Sequence, residues 1–423
     1  MPTKILLFED SCYSRLLPLV YFRPVYTLKC GALSLKEKVE RAYPGLPVAL
    51  HCREYIADSV RLRNPRASVN ELSAKKYLFI NGRAIVDEKF AKAIPAIGTA
   101  DMVYVQAGQI VAARLSGENL LRILTNRPEV FSAADFEGIA KKEVVVTLVS
   151  YPWELVTHNG AQLRADCFSL MKTAKGKKVR GKVAPGVSLV NPKNIFIGEG
   201  SVVKPGVVID AGEGPVYIGK NVTVMPQSTI IGPAYIGDGS TIKVGAKIYE
   251  ETSIGPMCKV GGEVEASIID GFSNKQHDGF LGHSYLGAWV NLGAGTTNSD
   301  LKNNYSSVKV IVNGEAVDSG EQFVGVTIGD HSKTAINTVF NTGTVVGVVS
   351  NVVGYGFPPK SVPSFAWGGA GGTFSTYEVE RAIETARRVM ARRKVTLSDA
   401  EIELFRSVFE LTKEERRKAG LAG

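Results

Sequence analysis

Apolar and polar positions fall into three regimes along the chain. Up to about residue 152, short apolar runs alternate with helical ones: KILLFE, LSLKEKVERAY, PVALHC, KYLFIN, DMVYVQ, GENLLRIL and EVVVTLV. Strands interleaved with helices predict an α/β domain with a mostly parallel sheet. Further on, the period becomes six. Ile218, Val224, Ile230, Ile236, Ile242, Ile248, Ile254 and Val260 recur at that interval, with Gly, Pro and small polar residues between them, and Ile197, Val203 and Ile209 begin an earlier run. Such a repeat predicts a parallel β-helix, in which three hexads make one coil with three flat faces and an inward aliphatic residue on each. The rhythm breaks after Val260, resumes at Phe280, Leu286 and Leu292, and returns through Ile328, Thr334, Phe340, Val346 and Val352. Within the second gap, Asn313-Gly314 between VKVIV and EAV signals a type I′ hairpin that leaves the helix.

The third regime is helical. TYEVERAIETARRVMARRK puts Val379, Ile383, Ala386 and Met390 on one face, and Ser398 with Glu401 and Thr412 with Glu415 read as capping boxes. These helices are expected to cover the last coil or a neighbouring subunit. The division that follows is an α/β domain over 1–155, a linker over 156–185, a β-helix over 186–360 and a helical segment over 361–423. Flat exposed coil faces favour lateral packing, and a three-sided prism suits a homotrimer.

Composition narrows the partners. The 423 residues suit two or three domains, and 50 Lys+Arg against 41 Asp+Glu leave a net charge of +9. Much of that excess lies in KTAKGKKVRGK and in the tail, a balance that fits phosphorylated small molecules. No basic run is interleaved with aromatic residues as a nucleic-acid platform requires. Five scattered cysteines without a C-x-x-C point to reduced thiols and a cytoplasmic setting. No apolar run approaches the ~18 residues of a membrane span, and MPTKILLFED does not read as a signal peptide.

The break in the hexads contains NKQHDGFLGHSYLGAWVNLGAGTTNSDLKNNY. With ILLFEDSCYSRLLPLVYFRPVYTLKCGALSLKEK, the junction YPWELVTHNG and FPPKSVPSFAWGG, it resembles the bifunctional sugar-1-phosphate nucleotidyltransferases/acetyltransferases. These are typified by N-acetylglucosamine-1-phosphate uridyltransferase/glucosamine-1-phosphate acetyltransferase, and the likeness is strongest to the GlmU-like family of sugar nucleotidyltransferases. The four stretches together span nearly the whole chain. The resemblance implies a nucleotidyltransferase-like, Rossmann-like α/β domain joined to a left-handed β-helix. There, acetyl passes from acetyl-CoA to an amino-sugar 1-phosphate.

His277 occupies the position of the family's catalytic base, a role that needs a group titrating near the working pH within reach of the amine. Asn291 matches an asparagine of the sugar site. Asp300 falls at another polar contact, and Phe280 stands where better-known members carry tyrosine, which leaves open an amino sugar other than glucosamine. Lys275 and Lys302 are candidates for the sugar phosphate by proximity and charge, and Lys360 for a CoA phosphate. Gly293 and Gly295 are candidates for close approach of the cosubstrate, with neighbouring N–H groups toward an oxyanion. His283, between hexad positions, and His331, His51 and His158 read as ordinary polar residues. A rival reading makes His277, His283 and His331 ligands of a hydratase-type zinc shared across a trimer.

Nucleotidyl transfer to make a UDP- or dTDP-sugar needs cations on the triphosphate and carboxylates on Mg2+. Arg15, Arg23 and Lys29 supply the cations, and Asn81 follows the strand KYLFI. Ordinary members place Gly-Asp there; this chain has Asn81-Gly82-Arg83, leaving Glu9, Asp10 or Asp87 to substitute for the missing acid. Two other classes stay open: a nucleotidyltransferase whose β-helix only oligomerises, and a non-enzymatic assembly or regulatory protein.

Overall fold

A computed structural model describes residues 3–421 apart from 99, 127, 175 and 372. The N-terminal sheet is built from β1 (Lys4–Phe8), β2 (Val48–Leu50), β3 (Lys76–Asn81), β4 (Met102–Gln106), β5 (Gln109–Ser116) and β6 (Lys141–Glu143), in the order β2-β1-β3-β5-β4-β6. β1 is parallel to β2 and β3, and β4 to β6. β5 runs antiparallel to both its neighbours, the exception in a sheet that is otherwise parallel as expected. Its cause is the two-residue turn Ala107-Gly108, with φ of 46° and 77°, which closes β4 and β5 into a tight hairpin.

Helix Asn159–Thr173, inside the 156–185 segment, lies along the β-helix: Leu163, Cys167 and Met171 pack with Phe196 and Tyr217. Asn159 is fully buried. Its amide accepts from the Gly31 N–H (2.7 Å) and Ser253 Oγ (3.0 Å) and donates to the Glu251 carbonyl (2.6 Å), tying three segments together. Residue 175 of the lysine-rich stretch lies outside the described residues.

The β-helix stacks three parallel sheets over about ten turns. Ile218, Val224, Ile230, Ile236, Ile242, Ile248, Ile254 and Val260 all point inward and are no more than 1% exposed. The coil from Val260 to Lys275 is three residues shorter than the preceding coil from Ile242 to Val260. At its next face the inward residue is Leu281, paired with Val264, and not Phe280, which pairs with Glu263 and lies half-buried outside. The step from Lys275 to Leu281 keeps the usual six residues and that from Leu281 to Leu286 has five, so a six-residue count back from Leu286 lands on Phe280, one position off the inward residue.

The hairpin forms as expected, Lys309–Val312 against Glu315–Asp318, with Asn313 at φ 52° and Gly314 at φ 88°. It is seated on Trp153 of the YPWEL junction through Val308, Val310 and Val324. The C-terminal helices Val379–Ala391 and Asp399–Leu411 pack against the α/β domain, sharing a core with Ile56, Val60 and Phe22, and touch the last coil through Phe365 and Phe409. The Ser398/Glu401 capping box is present. That at Thr412 is not: Thr412 Oγ1 turns back to the Val408 carbonyl, and Glu415 accepts from the Ser364 N–H instead. Among the described residues no helix is long and apolar enough to cross a membrane.

Candidate functional site

His277 stands on the corner between two faces of the β-helix and is the one exposed histidine of the five. The corner is held from inside. Lys275 takes an inward hexad position, 2% exposed, and its Nζ donates to the carbonyls of His277 (2.8 Å) and Gly261 (3.1 Å). Burial pushes this ammonium down to about 8. Lys275 is thus a structural cation beneath the corner, and its buried head does not face solvent where a sugar phosphate would lie.

The glycines above His277 serve the stacking of coils. A Cβ on Gly293 would meet the Ala335 carbonyl at 2.4 Å, and one on Gly295 the Asn337 side chain at 2.0 Å. The Gly293 N–H is taken by Thr334 Oγ1 and the Gly295 N–H by the Asp278 carbonyl. The close approach expected for the cosubstrate is made here by the next coil. Asn291 is half-buried on the adjoining face, its Oδ1 3.4 Å from Asn274 Nδ2, and Arg393 of the C-terminal segment donates to Asn274 Oδ1 at 2.7 Å.

Phe280 and Asp300 do come together. Beside Gly282 the Phe280 ring tip and the Asp300 carboxylate occupy the space a Cβ would need. His283 joins them: its Nδ1 lies 2.9 Å from Asp300 Oδ2, and its ring stacks on Phe323 at 4.9 Å. Nothing in the sequence joined His283 to Phe280 and Asp300, since its partners arrive from the next coil and from the far end of the hairpin excursion. Glu265 lies behind, its carboxyl pushed up by burial. Lys302 donates to Ser306 Oγ and the Ser307 carbonyl at the base of the excursion, and it lies near enough to Lys360 to help burial lower that ammonium.

The zinc reading loses its third ligand. His331 is buried between Phe22, Trp289 and Phe405, and no cluster of three or more metal-binding side chains occurs among the described residues of one copy.

In the α/β domain, Arg15 is exposed over Tyr151. Arg23 turns away from the sheet and pairs with Asp270 and Asp330 of the β-helix, in a buried triad. Lys29 lies over Tyr235 of the β-helix at 5.9 Å. Asn81 is buried, its Nδ2 donating to Asp10 Oδ2 and the Ile110 carbonyl, each at 2.8 Å.

Residues 5–175 match the family model for sugar nucleotidyl transferases, and residues 215–250 match six bacterial transferase hexapeptide repeats. The chain joins a domain similar to the sugar nucleotidyl transferases to a hexapeptide-repeat β-helix. Among curated relatives it is 28% identical to the bifunctional protein GlmU of Synechococcus elongatus over 235 residues, 50% of this chain and 47% of that one. It is 34% identical to GlmU of Acidithiobacillus ferrooxidans over 179 residues, 40% of this chain and 38% of the relative. The bifunctional sugar-1-phosphate nucleotidylyltransferase/acetyltransferase of Sulfurisphaera tokodaii is 33% identical over 129 residues, 28% of this chain and 31% of its own. The chain thus spans less than half the length of these relatives.

The matched family implies Mg2+, and the acids of the α/β domain do not fit it. Both Asp10 oxygens receive Arg83, at 2.9 Å and 2.6 Å, and Arg83 itself is 0% exposed. Glu9 is bound by Arg53 and by the Val25 N–H. Asp87 caps the helix Glu88–Ala93 through the Phe90 N–H. A hard divalent cation needs carboxylate lone pairs that are free; Glu9 and Asp10 spend theirs on guanidinium, amide and backbone donors, and exposed Asp87 gives one oxygen to its helix cap. The residue that sequence inspection read as a missing ligand, Arg83, already supplies the positive charge.

Proposed function

We propose that the β-helix transfers acetyl from acetyl-CoA to the amine of an amino-sugar 1-phosphate, with His277 as the general base. The carrying observation is the exposed imidazole on a corner anchored by a buried ammonium, within a fold whose sequence relatives are bifunctional nucleotidyltransferase/acetyltransferases. In this reading the His277 ring accepts a proton as the amine attacks the thioester carbonyl; the C–S bond breaks and the CoA sulfur leaves with the proton returned by the imidazole. Holding the corner rigid keeps that ring in position, since misplacement by about 1 Å can cost on the order of 100-fold in rate.

Asn291, with Asn274 and Arg393 on the same face, would contact the sugar, and Phe280, Asp300 and His283 would shape its other side. Lys302 and Lys360 would meet phosphate groups, and acetyl-CoA would run along a groove between neighbouring copies in a cytoplasmic homotrimer. CoA release with a panel of amino-sugar 1-phosphates tests this, wild type against His277→Ala. Loss of roughly 100- to 10,000-fold in kcat is expected for removal of a general base. Equal turnover by both proteins would retire His277 from the chemistry.

A second reading, nucleotidyl transfer from a nucleoside triphosphate to the sugar 1-phosphate, has the family match over residues 5–175 in its favour. The acids described above count against it.

A further inference from the structure

The loop that follows β1 reaches the β-helix at three places. Arg23 enters the Asp270/Asp330 pair, the Lys29 N–H donates to Tyr285 Oη at 2.9 Å, and the Gly31 carbonyl accepts from Ser253 Oγ at 2.8 Å. Leu16, Leu19, Val20 and Leu28 of the same loop bury themselves in one cluster with Ile268 and Tyr285. Two of the three cations available for a nucleotide are therefore directed at the other half of the molecule.

At the carboxyl ends of β1 and β3, the place where open α/β sheets take their ligands, the vacant charge is filled from within. Arg83 there contacts Asp10, Gln109 Oε1 (2.7 Å), Ser150 Oγ (3.3 Å) and the Val149 carbonyl (2.8 Å). A divalent ion brought to Asp10 would have to displace the guanidinium and leave it buried without a counter-ion, which is strongly unfavourable. The Glu9/Arg53 pair repeats the arrangement one residue away, with Arg53 2% exposed.

We propose that the N-terminal domain is a brace for the β-helix and not a metal-dependent nucleotidyltransferase, Arg83 being its permanent internal cation. The nucleotidyltransferase fold is kept, while its phosphate loop has become the contact between domains and its metal acids have become ion pairs. The brace stands or falls independently of acetyl transfer, so its tests use other readouts.

The experiment takes the full chain with UTP or dTTP, N-acetylglucosamine 1-phosphate or glucosamine 1-phosphate, and Mg2+ or Mn2+, and follows pyrophosphate release; in parallel, thermal unfolding is recorded with and without Mn2+. Wild type is expected to release no pyrophosphate above the enzyme-free blank and to show the same Tm in both buffers. Arg83→Asp puts a second carboxylate beside Asp10, so this variant is expected to melt lower without Mn2+ and to gain Tm when Mn2+ is added. Metal-dependent pyrophosphate release by wild type, or a Mn2+-dependent rise in its Tm, would overturn the proposal even if Arg83→Asp does not fold. Arg23→Met tests the brace itself: limited proteolysis is expected to cut between the two halves faster than in wild type, and an unchanged cleavage pattern would count against the role.

Discussion

Lys275 Nζ lies 2.8 Å from the carbonyl oxygen of His277, so an ammonium inside the β-helix fixes the corner that carries the exposed imidazole. Its pKa of about 8, against 10.5 for the ordinary side chain, makes this contact visible in stability. Between those values the unfolded chain holds the proton and the folded chain does not, so stability rises with pH across the window. The full swing is about 3 kcal/mol. In Lys275→Met this contribution is gone, while that of Lys333, also lowered to about 8 by burial, persists in both proteins. Urea denaturation of the pair from about pH 7 to about pH 11 should give a difference that grows with pH. A constant difference would mean that Lys275 titrates normally.

Arg23 neutralises two buried carboxylates at once, and burial pushes the Asp330 carboxyl up even with the guanidinium beside it. Arg23→Met leaves both acids unpaired and is expected to cost about 3–5 kcal/mol near neutral pH. A raised carboxyl pKa contributes stability at low pH that is lost as pH climbs through the folded value, so the variant should recover part of its deficit on acidification toward about pH 5. Arg23→Met with Asp330→Asn should regain part of it at neutral pH. Chemical denaturation of the three proteins decides this; a deficit independent of pH and unrelieved by Asp330→Asn would assign the loss to packing.

The inward residues from Ile218 to Val260 were legible because a buried aliphatic stack must repeat with the coil, whatever else the chain does. Lys275 was not, since a lysine carries no signal that it will point inward: its role depends on carbonyls supplied by the short coil around it. Phe280 passed for an inward residue because it lies six positions before Leu286, whereas the inward residue Leu281 lies only five before it. Arg83 was visible as a departure from the family pattern, but its partner Asp10 lies 73 residues away in sequence and only the sheet brings the two together. Sequence period reports what packs against itself, and pairings between distant segments have no such signature.

Trp153 joins the junction to the hairpin: its ring stacks on Tyr151 at 4.4 Å and packs with Val308, Val310 and Val324. Trp153→Ala removes the seat of the excursion and is expected to cost about 3–5 kcal/mol. Because the hairpin is the element that loses its support, proteolysis should move to residues 309–318 before the rest of the chain is attacked. Cleavage that begins in the α/β domain instead would show that Trp153 holds that domain and not the hairpin.

His283 and Asp300 give the proposed sugar site a readout separate from that of His277. His283→Phe retains an aromatic ring against Phe323 and removes the hydrogen bond to the carboxylate. A group that binds the sugar equally in ground and transition states raises KM when lost and leaves kcat nearly unchanged, whereas loss of a base lowers kcat. His283→Phe and Asp300→Asn are therefore expected to raise KM for the amino sugar about tenfold, the effect of one charge-assisted hydrogen bond, with kcat changed less than twofold. Each should act weakly in the background of the other, because they share one contact. Steady-state kinetics on the two single variants and the double variant provide the check, and an unchanged KM in all three would place the sugar away from this end of the strand.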